Sequence, residues 1–362
     1  MIAQRRLHTQ RLIGPRFLTP ADAVAFFGAV QGQDFLPAMW ALGMRTEGAT
    51  EPVVEQAIID RQIVRTWPFR GTIHFVTPAD IRWMLQLSAP RALRDNARKR
   101  ELGLDETTFA QARKVIDSAL RDGRPRSRPA LRQMLDDAGI STAGQRGIHI
   151  LGRLSQEGLI CIGPREGKQQ TFVLLDAWLP PGKALSHEEA LAELARRYFT
   201  SHGPATIKDF IWWCGLAAAE ARAGLEMAKS RLASESVSKE TLWFAPPLIT
   251  EAIPAPVAHL LPYVDEYIVA YRDRDAIQPP AYNALVDSGN VIFHPPLLID
   301  GRVAGIWTRK LKKDRVMITP TLFRPLAAGE GDALATAADR LGSFLGLTAE
   351  LALVDSEKPI AP

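Results

Sequence analysis

The sequence predicts an α+β protein in which a unit of three helices and a β-hairpin is repeated and a smaller β-rich unit follows. Residues 109–174 contain three helical segments and then two short apolar strands. The same order returns about 75 residues further on, and a repeated unit is stronger evidence than a single copy. This is the order of a winged helix, whose third helix is available to a DNA groove.

The copy at 109–174 has the clearest element boundaries. Its second helix is predicted to begin after Ser127, which suits an N-cap, with a proline in the first turn, and to end at Gly139. The third helix is predicted between Ser141 and Gly158. Two strands then follow, from Leu159 to Pro164 and from Gln170 to Asp176.

Two further copies flank this one. The later copy has predicted helices at 187–203, 205–215 and 216–233, and VSKETLWFA would be its hairpin. The N-terminal region fits a copy with insertions, because helices are predicted at 21–32 and 51–62 and a strand pair at 63–76. The sequence therefore predicts three tandem winged-helix domains.

A proline-rich stretch from Phe244 to Val257 separates a different C-terminal unit. Short strands are predicted in VIFHPPLLI and GRVAGIWTR, and Asp300-Gly301 between them is a hairpin signal. A closing helix is predicted in the tail that begins at Ala327. The predicted domains span residues 1–105, 106–181, 182–256 and 257–362.

The composition is that of a soluble globular protein. The 362 residues are 46% hydrophobic and 23% charged. No apolar run reaches the roughly 18 residues of a membrane span, and the N-terminus does not resemble a signal peptide. The two cysteines lie in apolar sequence, which indicates a reducing compartment. We expect a cytoplasmic, nucleoid-associated monomer that does not bind membranes.

Several chemistries are disfavoured. Two cysteines cannot form a four-cysteine iron–sulfur site, and the seven histidines show no metal-ligand spacing. P-loop, GxGxxG, HExxH and GxSxG motifs do not occur. We therefore expect no cofactor and no metal.

Positive charge is concentrated in three runs, although the net charge is only +4. Charge runs are often only solvated faces, but three in different regions favour a shared surface for a polyanion. Arginine predominates in the first two runs, which suits bidentate phosphate contacts. The runs are Arg91, Arg94, Arg98, Lys99 and Arg100; Arg121, Arg124, Arg126, Arg128 and Arg132; and Arg309, Lys310, Lys312, Lys313 and Arg315.

The segment VQGQDF carries the strongest chemical signal. Gln31 and Gln33 flank Gly32 and precede Asp34, inside apolar sequence. Polar groups in such surroundings must be hydrogen-bonded or face a ligand. In a continuous helix, residues two apart point to different faces, so both amides reach one site only where the backbone breaks, which Gly32 permits. The alternative is a helix C-terminus whose glutamines cap backbone groups.

The segment and several landmarks resemble the AlkZ/YcaQ-type DNA glycosylases of the winged-helix DNA-binding-domain superfamily. The landmarks are MWALGMRTEG, WPFRGTIHFV, HLLPYVDEYIVAYRDR and LLIDGRVAGIWTR. The resemblance implies that Gln31 and Gln33 position the attacking water, although Gly32 stands where the family usually has an apolar residue. It also implies that the C-terminal unit is a small β-barrel-like domain.

The resemblance and the chemistry of the glutamine pair together predict a DNA glycosylase that releases cationic N7-alkylated purines from double-stranded DNA, including interstrand cross-links. Glutamine carbonyls can orient a water and face an oxocarbenium ion but take its proton poorly, so the leaving base must already be activated. Asp34 would orient or deprotonate the water, or else cap a helix. The alternative function is a non-catalytic winged-helix regulator or architectural factor.

A lyase reaction needs an amine nucleophile, and the first hundred residues contain one lysine, Lys99. For this reason we expect hydrolysis alone.

The hairpin of the first copy supplies further candidates. Trp67 and Phe69 either contact unstacked DNA or pack the hairpin onto its own domain, and the packing role is favoured. Strand alternation predicts that His74 faces polar surroundings, opposite to its neighbours. The predicted DNA contacts are Arg65, Trp67, Arg70, His74, Arg91, Arg94, Arg98, Arg126 and Arg128.

The C-terminal unit contains a pair of adjacent carboxylates in PYVDEY. Asp265 and Glu266 could act as a catalytic pair, but such pairs more often support an interface by pairing with arginine. Arg272 and Arg274 are the expected partners. We therefore favour a structural role for both carboxylates.

Overall fold

The computed structural model describes residues 2–94, 97–247, 256–286 and 294–352. Its N-terminal region consists of four helices and three strands, of which those from 20 to 76 form the first unit. They are α1 (Ile2–Thr9), α2 (Pro20–Phe27), β1 (Val30–Gln31), α3 (Phe35–Gly43), α4 (Glu51–Ile59), β2 (Val64–Phe69) and β3 (Thr72–Val76).

The helix predicted at 21–32 is shorter than expected. It ends at Phe27 because Gly28 adopts a positive φ of 80°, and Val30 and Gln31 then pair with β3 as a strand. Gly32 does not supply the break. Its backbone N–H donates to Ile73 O at 2.7 Å, and an added Cβ would lie 3.4 Å from Phe75. A Cβ at position 32 would therefore be in ordinary van der Waals contact with Phe75.

The second unit follows two connecting helices, α5 (Ile81–Ala92) and α6 (Ala97–Glu101). The Ser127 hydroxyl accepts the Ala130 N–H at 3.4 Å, which confirms the predicted N-cap. The third helix starts at Arg146, five residues later than predicted from Ser141. The elements are α7 (Glu106–Leu120), β4 (Arg126–Ser127), α8 (Arg128–Asp137), α9 (Arg146–Gln156), β5 (Ile160–Ile162), β6 (Thr171–Leu174) and α10 (Leu175–Trp178).

The third unit repeats the order of three helices and a hairpin. Its first two helices begin with capping boxes, formed by Ser186 with Glu189 and by Thr206 with Asp209. The predicted helices and hairpin are all present. They are α11 (His187–His202), α12 (Ile207–Cys214), α13 (Ala218–Ala228), β7 (Ala233–Val237) and β8 (Glu240–Phe244).

The C-terminal region contains a five-stranded sheet whose strands, in spatial order, span residues 348–351, 315–322, 302–311, 296–299 and 258–260. Asp300 and Gly301 have φ angles of 49° and 81°, which confirms the predicted tight turn. Residues 291–293 of the strand predicted in VIFHPPLLI lie outside the described residues. The elements are β9 (Ala258–Leu260), α14 (Glu266–Val269), α15 (Asn283–Val286), β10 (Pro296–Ile299), β11 (Arg302–Leu311), β12 (Arg315–Leu322), α16 (Glu330–Leu345) and β13 (Thr348–Leu351).

A six-stranded sheet joins the first two units, with the order β1-β3-β2-β5-β6-β4. The junction is the pairing of Arg65 in β2 with Ile162 in β5. The hairpin β2–β3 therefore lies between two cores. Trp67 stacks on Phe172 in the core of the second unit, with ring centroids 6.3 Å apart. Phe69 packs against Trp213 in the larger core.

Within the described ranges, every helix is too short or too polar to span a membrane.

Candidate active site

Four hydrogen bonds fix the segment from Gln31 to Gln33. The Gln31 N–H donates to Glu266 Oε1 at 2.7 Å, and the Gly32 N–H donates to Ile73 O at 2.7 Å. Arg65 Nη2 donates to Gly32 O at 2.7 Å. The Gln33 side-chain carbonyl accepts the Ile73 N–H at 3.0 Å. The segment is thus an extended edge of the sheet, and the alternative of a helix C-terminus is wrong.

The two glutamines have different surroundings. Gln33 is exposed and lines a cleft of about 610 Å³ between the first hairpin, α5, α9 and the end of α12. Gln31 is 9% exposed and lies directly across β1–β3 from His74, so the two side chains share one face of the sheet. That both amides reach one site stays a prediction from the sequence.

The cleft is cationic. Arg70 and Arg91 line it and have no carboxylate at ion-pair distance among the described residues. Lys99 and Arg153 also line it, and its described lining contains no carboxylate, although Arg153 pairs with Glu106 at 2.9 Å and with Glu157 outside the lining. The pKa of His149, another lining residue, is lowered by burial and by the charges of Arg98 and Lys99. Such a cleft suits a phosphate backbone.

One face of α9 forms a wall of the cleft. Ile148, Gly152 and Gln156, four residues apart, all line it. Ile148 is a large apolar side chain that is 48% exposed. A Cβ built on Gly152 has no described atom within 4 Å, so this glycine leaves open space above the helix. The wall therefore offers an apolar contact and close access to the helix backbone.

Arg70 occupies the tip of the first hairpin in a strained conformation. Its φ is 53°, and Gly71 follows with a φ of 70°, as in a tight hairpin turn. A Cβ on Gly215 would lie 2.8 Å from Arg70 Cγ, so Gly215 gives this side chain room.

Arg65 and His74 are enclosed, which corrects the expectation that they lie on a DNA-facing or polar surface. Arg65 is 4% exposed and its pKa is lowered to about 10, mainly by burial. His74 is fully buried, and its pKa is lowered to about 4, again mainly by burial. Strand alternation misplaced His74 because both faces of β3 are covered. Trp67 is also buried, as the favoured packing role predicted, although its edge lines the cleft.

The other predicted contacts are dispersed. Arg94 and Arg98 are exposed close to the cleft, and Arg98 pairs with Glu101 at 3.0 Å. Arg126 pairs with Asp122 at 2.6 Å, and Arg128 donates to Gln170 at 2.7 Å. Arg128 lines a separate groove on the second unit.

Asp34 stands at the N-cap position of α3 but makes no capping bond. The capping role suggested for its side chain is therefore wrong. Its carboxylate instead accepts the Tyr263 hydroxyl at 3.2 Å. This contact links the end of the glutamine segment to the C-terminal region.

The carboxylate pair of the C-terminal region is buried and structural, but its partners differ from those expected. Asp265 forms a bidentate pair with Arg45, at 2.7 and 2.8 Å, rather than with Arg272 or Arg274. Glu266 accepts bonds from Gln31, Trp213 and His202. Sequence reasoning missed Arg45, in the turn after α3, and Arg153, within α9. It also missed Gly152, whose four-residue spacing from Ile148 was the available signal.

These features define an α+β protein with a cationic cleft and a glutamine at its wall. The fold is shared with a solved structure, the Streptomyces sahachiroi DNA glycosylase AlkZ, with a TM-score of 0.80 over 98% of each chain at 21% identity. The interstrand DNA cross-link repair glycosylase of the same organism is 24% identical over 316 residues, 83% of this chain and 84% of that protein.

The family model of the DNA glycosylase AlkZ-like proteins matches residues 24–344. The chain therefore belongs to this family, which confirms the resemblance drawn from the sequence and the prediction of a DNA glycosylase.

Proposed function

We propose that the chain is a monofunctional DNA glycosylase that hydrolyses the N-glycosidic bond of cationic N7-alkylated purines in double-stranded DNA, cross-linked purines included. One observation carries the proposal: a neutral amide, Gln33, lies in a cleft lined by arginine and lysine without a described carboxylate. The cations bind the phosphates, and the amides act on the sugar and the water.

The chemistry of an amide pair matches this substrate class. An N7-alkylguanine leaves as a neutral base, so the site need not protonate it. Expelling uracil requires donors that stabilise a developing negative charge. A positioned water then adds to the oxocarbenium ion from the glutamine side and releases one proton to the surrounding water, which leaves the sugar hydroxyl. Family membership favours this enzyme over the regulator considered from the sequence.

The organisation of the chain supports the same function. We interpret the three helix–hairpin units as winged helices and the C-terminal sheet as the β-barrel-like domain, with domains at 1–105, 106–181, 182–256 and 257–362. The six-stranded sheet crosses the first of these boundaries. We propose that the protein acts as a cytoplasmic, nucleoid-associated monomer.

The test is single-turnover base release from matched duplexes that contain N7-methylguanine or uracil. Abasic sites are cleaved with alkali and counted on a gel. We expect release of N7-methylguanine and none of uracil. Equal rates on the two duplexes would reveal strong leaving-group activation and refute the proposed substrate class. Tight binding without release of either base would support the regulator.

A further inference from the structure

Glu266 is a carboxylate enclosed in the protein at the start of α14, only 1% exposed. It accepts hydrogen bonds from three separate segments. The donors are the Gln31 backbone N–H at 2.7 Å, Trp213 Nε1 at 2.9 Å and His202 Nε2 at 3.3 Å. This carboxylate therefore joins the glutamine segment to α11, α12 and the C-terminal region.

The neighbouring carboxylate shows how Glu266 differs. Asp265 is equally buried, but the guanidinium of Arg45 neutralises it directly. Glu266 has no arginine or lysine at ion-pair distance among the described residues, and its titratable partner is a histidine. Burial acts to raise its pKa, but the hydrogen bond and charge of His202, with smaller effects from His74 and the Gln31 N–H, bring it to about 2. The group is therefore ionised at neutral pH.

Gln31 needs such a partner because β1 is an edge strand. The Gly32 N–H points inward and pairs with β3, whereas the Gln31 N–H points outward, away from the sheet. An outward N–H that is buried must find an acceptor. Glu266 supplies it, and the charged acceptor makes this a stronger bond than a carbonyl would.

We propose that Glu266 is a positioning residue: its carboxylate fixes the Gln31 peptide and holds a negative charge beside the glutamine segment. The inference rests on the proposed glycosylase function. The cations of the cleft bind phosphate, but their positive potential destabilises a positively charged sugar. The Glu266 carboxylate is hydrogen-bonded to the Gln31 backbone N–H. Its negative charge offsets the positive potential of the cleft at the glutamine segment, where the oxocarbenium ion forms.

The first test does not depend on activity. Amide hydrogen exchange of the Gln31 N–H is measured in the wild-type protein, in Glu266→Gln and in the matched control Asp265→Asn. Glu266→Gln removes the charge and places an amino group among three donors. We expect its Gln31 amide to exchange about tenfold faster. Asp265→Asn should change the exchange rate of the Gln31 N–H no more than it changes the rates of the neighbouring backbone amides. Equal effects of both variants on Gln31 would overturn the proposal.

The second test uses base release. Glu266→Gln should slow single-turnover release of N7-methylguanine by about 10- to 100-fold, with the dissociation constant for DNA within about twofold of wild type. Parallel losses of release, affinity and melting temperature would indicate a purely structural residue. If the wild-type protein releases no base, the proposed function fails, while the exchange result still decides whether Glu266 positions Gln31.

Glu266→Asp covers the case in which the glutamine variant does not fold. It keeps the charge but shortens the side chain by one methylene, so the reach to the Gln31 N–H is lost. Faster exchange at Gln31 with retained folding supports the proposal, and unchanged exchange contradicts it.

Discussion

The side-chain carbonyl of Gln33 accepts the backbone N–H of Ile73 at 3.0 Å, in the place where a further strand residue would pair. One of the two proposed catalytic amides therefore also holds the sheet together. One lone pair of its carbonyl oxygen is engaged, and the second can still accept a hydrogen bond from the attacking water. Substitution of Gln33 should therefore lower stability more than substitution of Gln31, whereas both substitutions should slow base release.

Gln31→Ala and Gln33→Ala should each slow base release by about ten- to a thousandfold, as expected for the loss of one positioned polar group. DNA affinity should stay near wild type because neither side chain is expected to hold a phosphate. Single-turnover kinetics and binding titrations measure the two effects. Asp34→Asn is the control. If it abolishes release while both glutamine variants stay active, the roles assigned to the glutamines are wrong.

Gly152 should set the clearance of the cleft. Gly152→Ala should stabilise α9 by about 1 kcal/mol and leave DNA binding intact. Gly152→Leu is equally compatible with a helix but projects into the cleft, so we expect about tenfold weaker DNA binding or more, with no loss of melting temperature. Unchanged binding by the leucine variant would show that DNA does not approach this wall.

DNA binding should weaken steeply with salt and depend little on sequence. Arg70→Ala and Arg91→Ala should each reduce the slope of log affinity against log salt by about one. Arg94→Ala together with Arg98→Ala should reduce it as well, although the Glu101 pair offsets part of the Arg98 contribution. Arg121→Ala, on the exposed surface of the second unit, is the control. A sharp preference for one palindromic sequence would favour a regulator.

Acid should destabilise the protein through His74. Its pKa is about 4 in the fold against an ordinary 6.5, because burial disfavours the charged ring. The unfolded chain binds the proton more readily, so this stability is present above pH 6.5 and lost as the pH falls towards 4. His74→Gln should remove about 2 kcal/mol of the decline in unfolding free energy between pH 7 and 5.

Base release should vary little between about pH 6 and 8, since amides do not titrate there and His74 stays neutral. A bell-shaped profile centred near pH 7 would contradict this prediction and implicate a histidine.

Borohydride should trap no covalent complex with abasic DNA. Lys99 lines the cleft, but it is buried and its Nζ donates to Arg94 O at 3.0 Å. Lys99→Gln should lower DNA affinity, because it removes a cation from the cleft, without abolishing base release. A trapped adduct that disappears in this variant would establish a lyase activity.

Local signals predicted much of the architecture. The Ser127 cap and the Asp300-Gly301 turn need only neighbouring residues, and both are present as predicted. The end of α2 at Gly28 also depends only on neighbouring residues, but the apolar sequence after Gly28 suggested that the helix continues to Gly32. The burial of His74 was not predictable in this way. Alternation assigns a strand's two faces but cannot show that Phe69 and the segment around Glu266 cover the face that carries His74.

The hydrogen-bond partners at the candidate site could not be predicted from neighbouring residues, because they are distant in the sequence. Gln33 meets Ile73 forty residues away, and Asp265 meets Arg45 rather than a nearby arginine. Composition indicated a cationic protein, but only tertiary packing brings Arg70, Arg91 and Arg153 to the same cleft.

The bond between Gln31 and Glu266 joins positions separated by 235 residues. During synthesis the ribosome releases the glutamine segment first and its carboxylate partner much later. The hairpin beneath that segment must also wait, since Trp67 finds Phe172 only after the second unit has been made. For most of its elongation, a nascent chain therefore carries both glutamines without the contact that fixes Gln31.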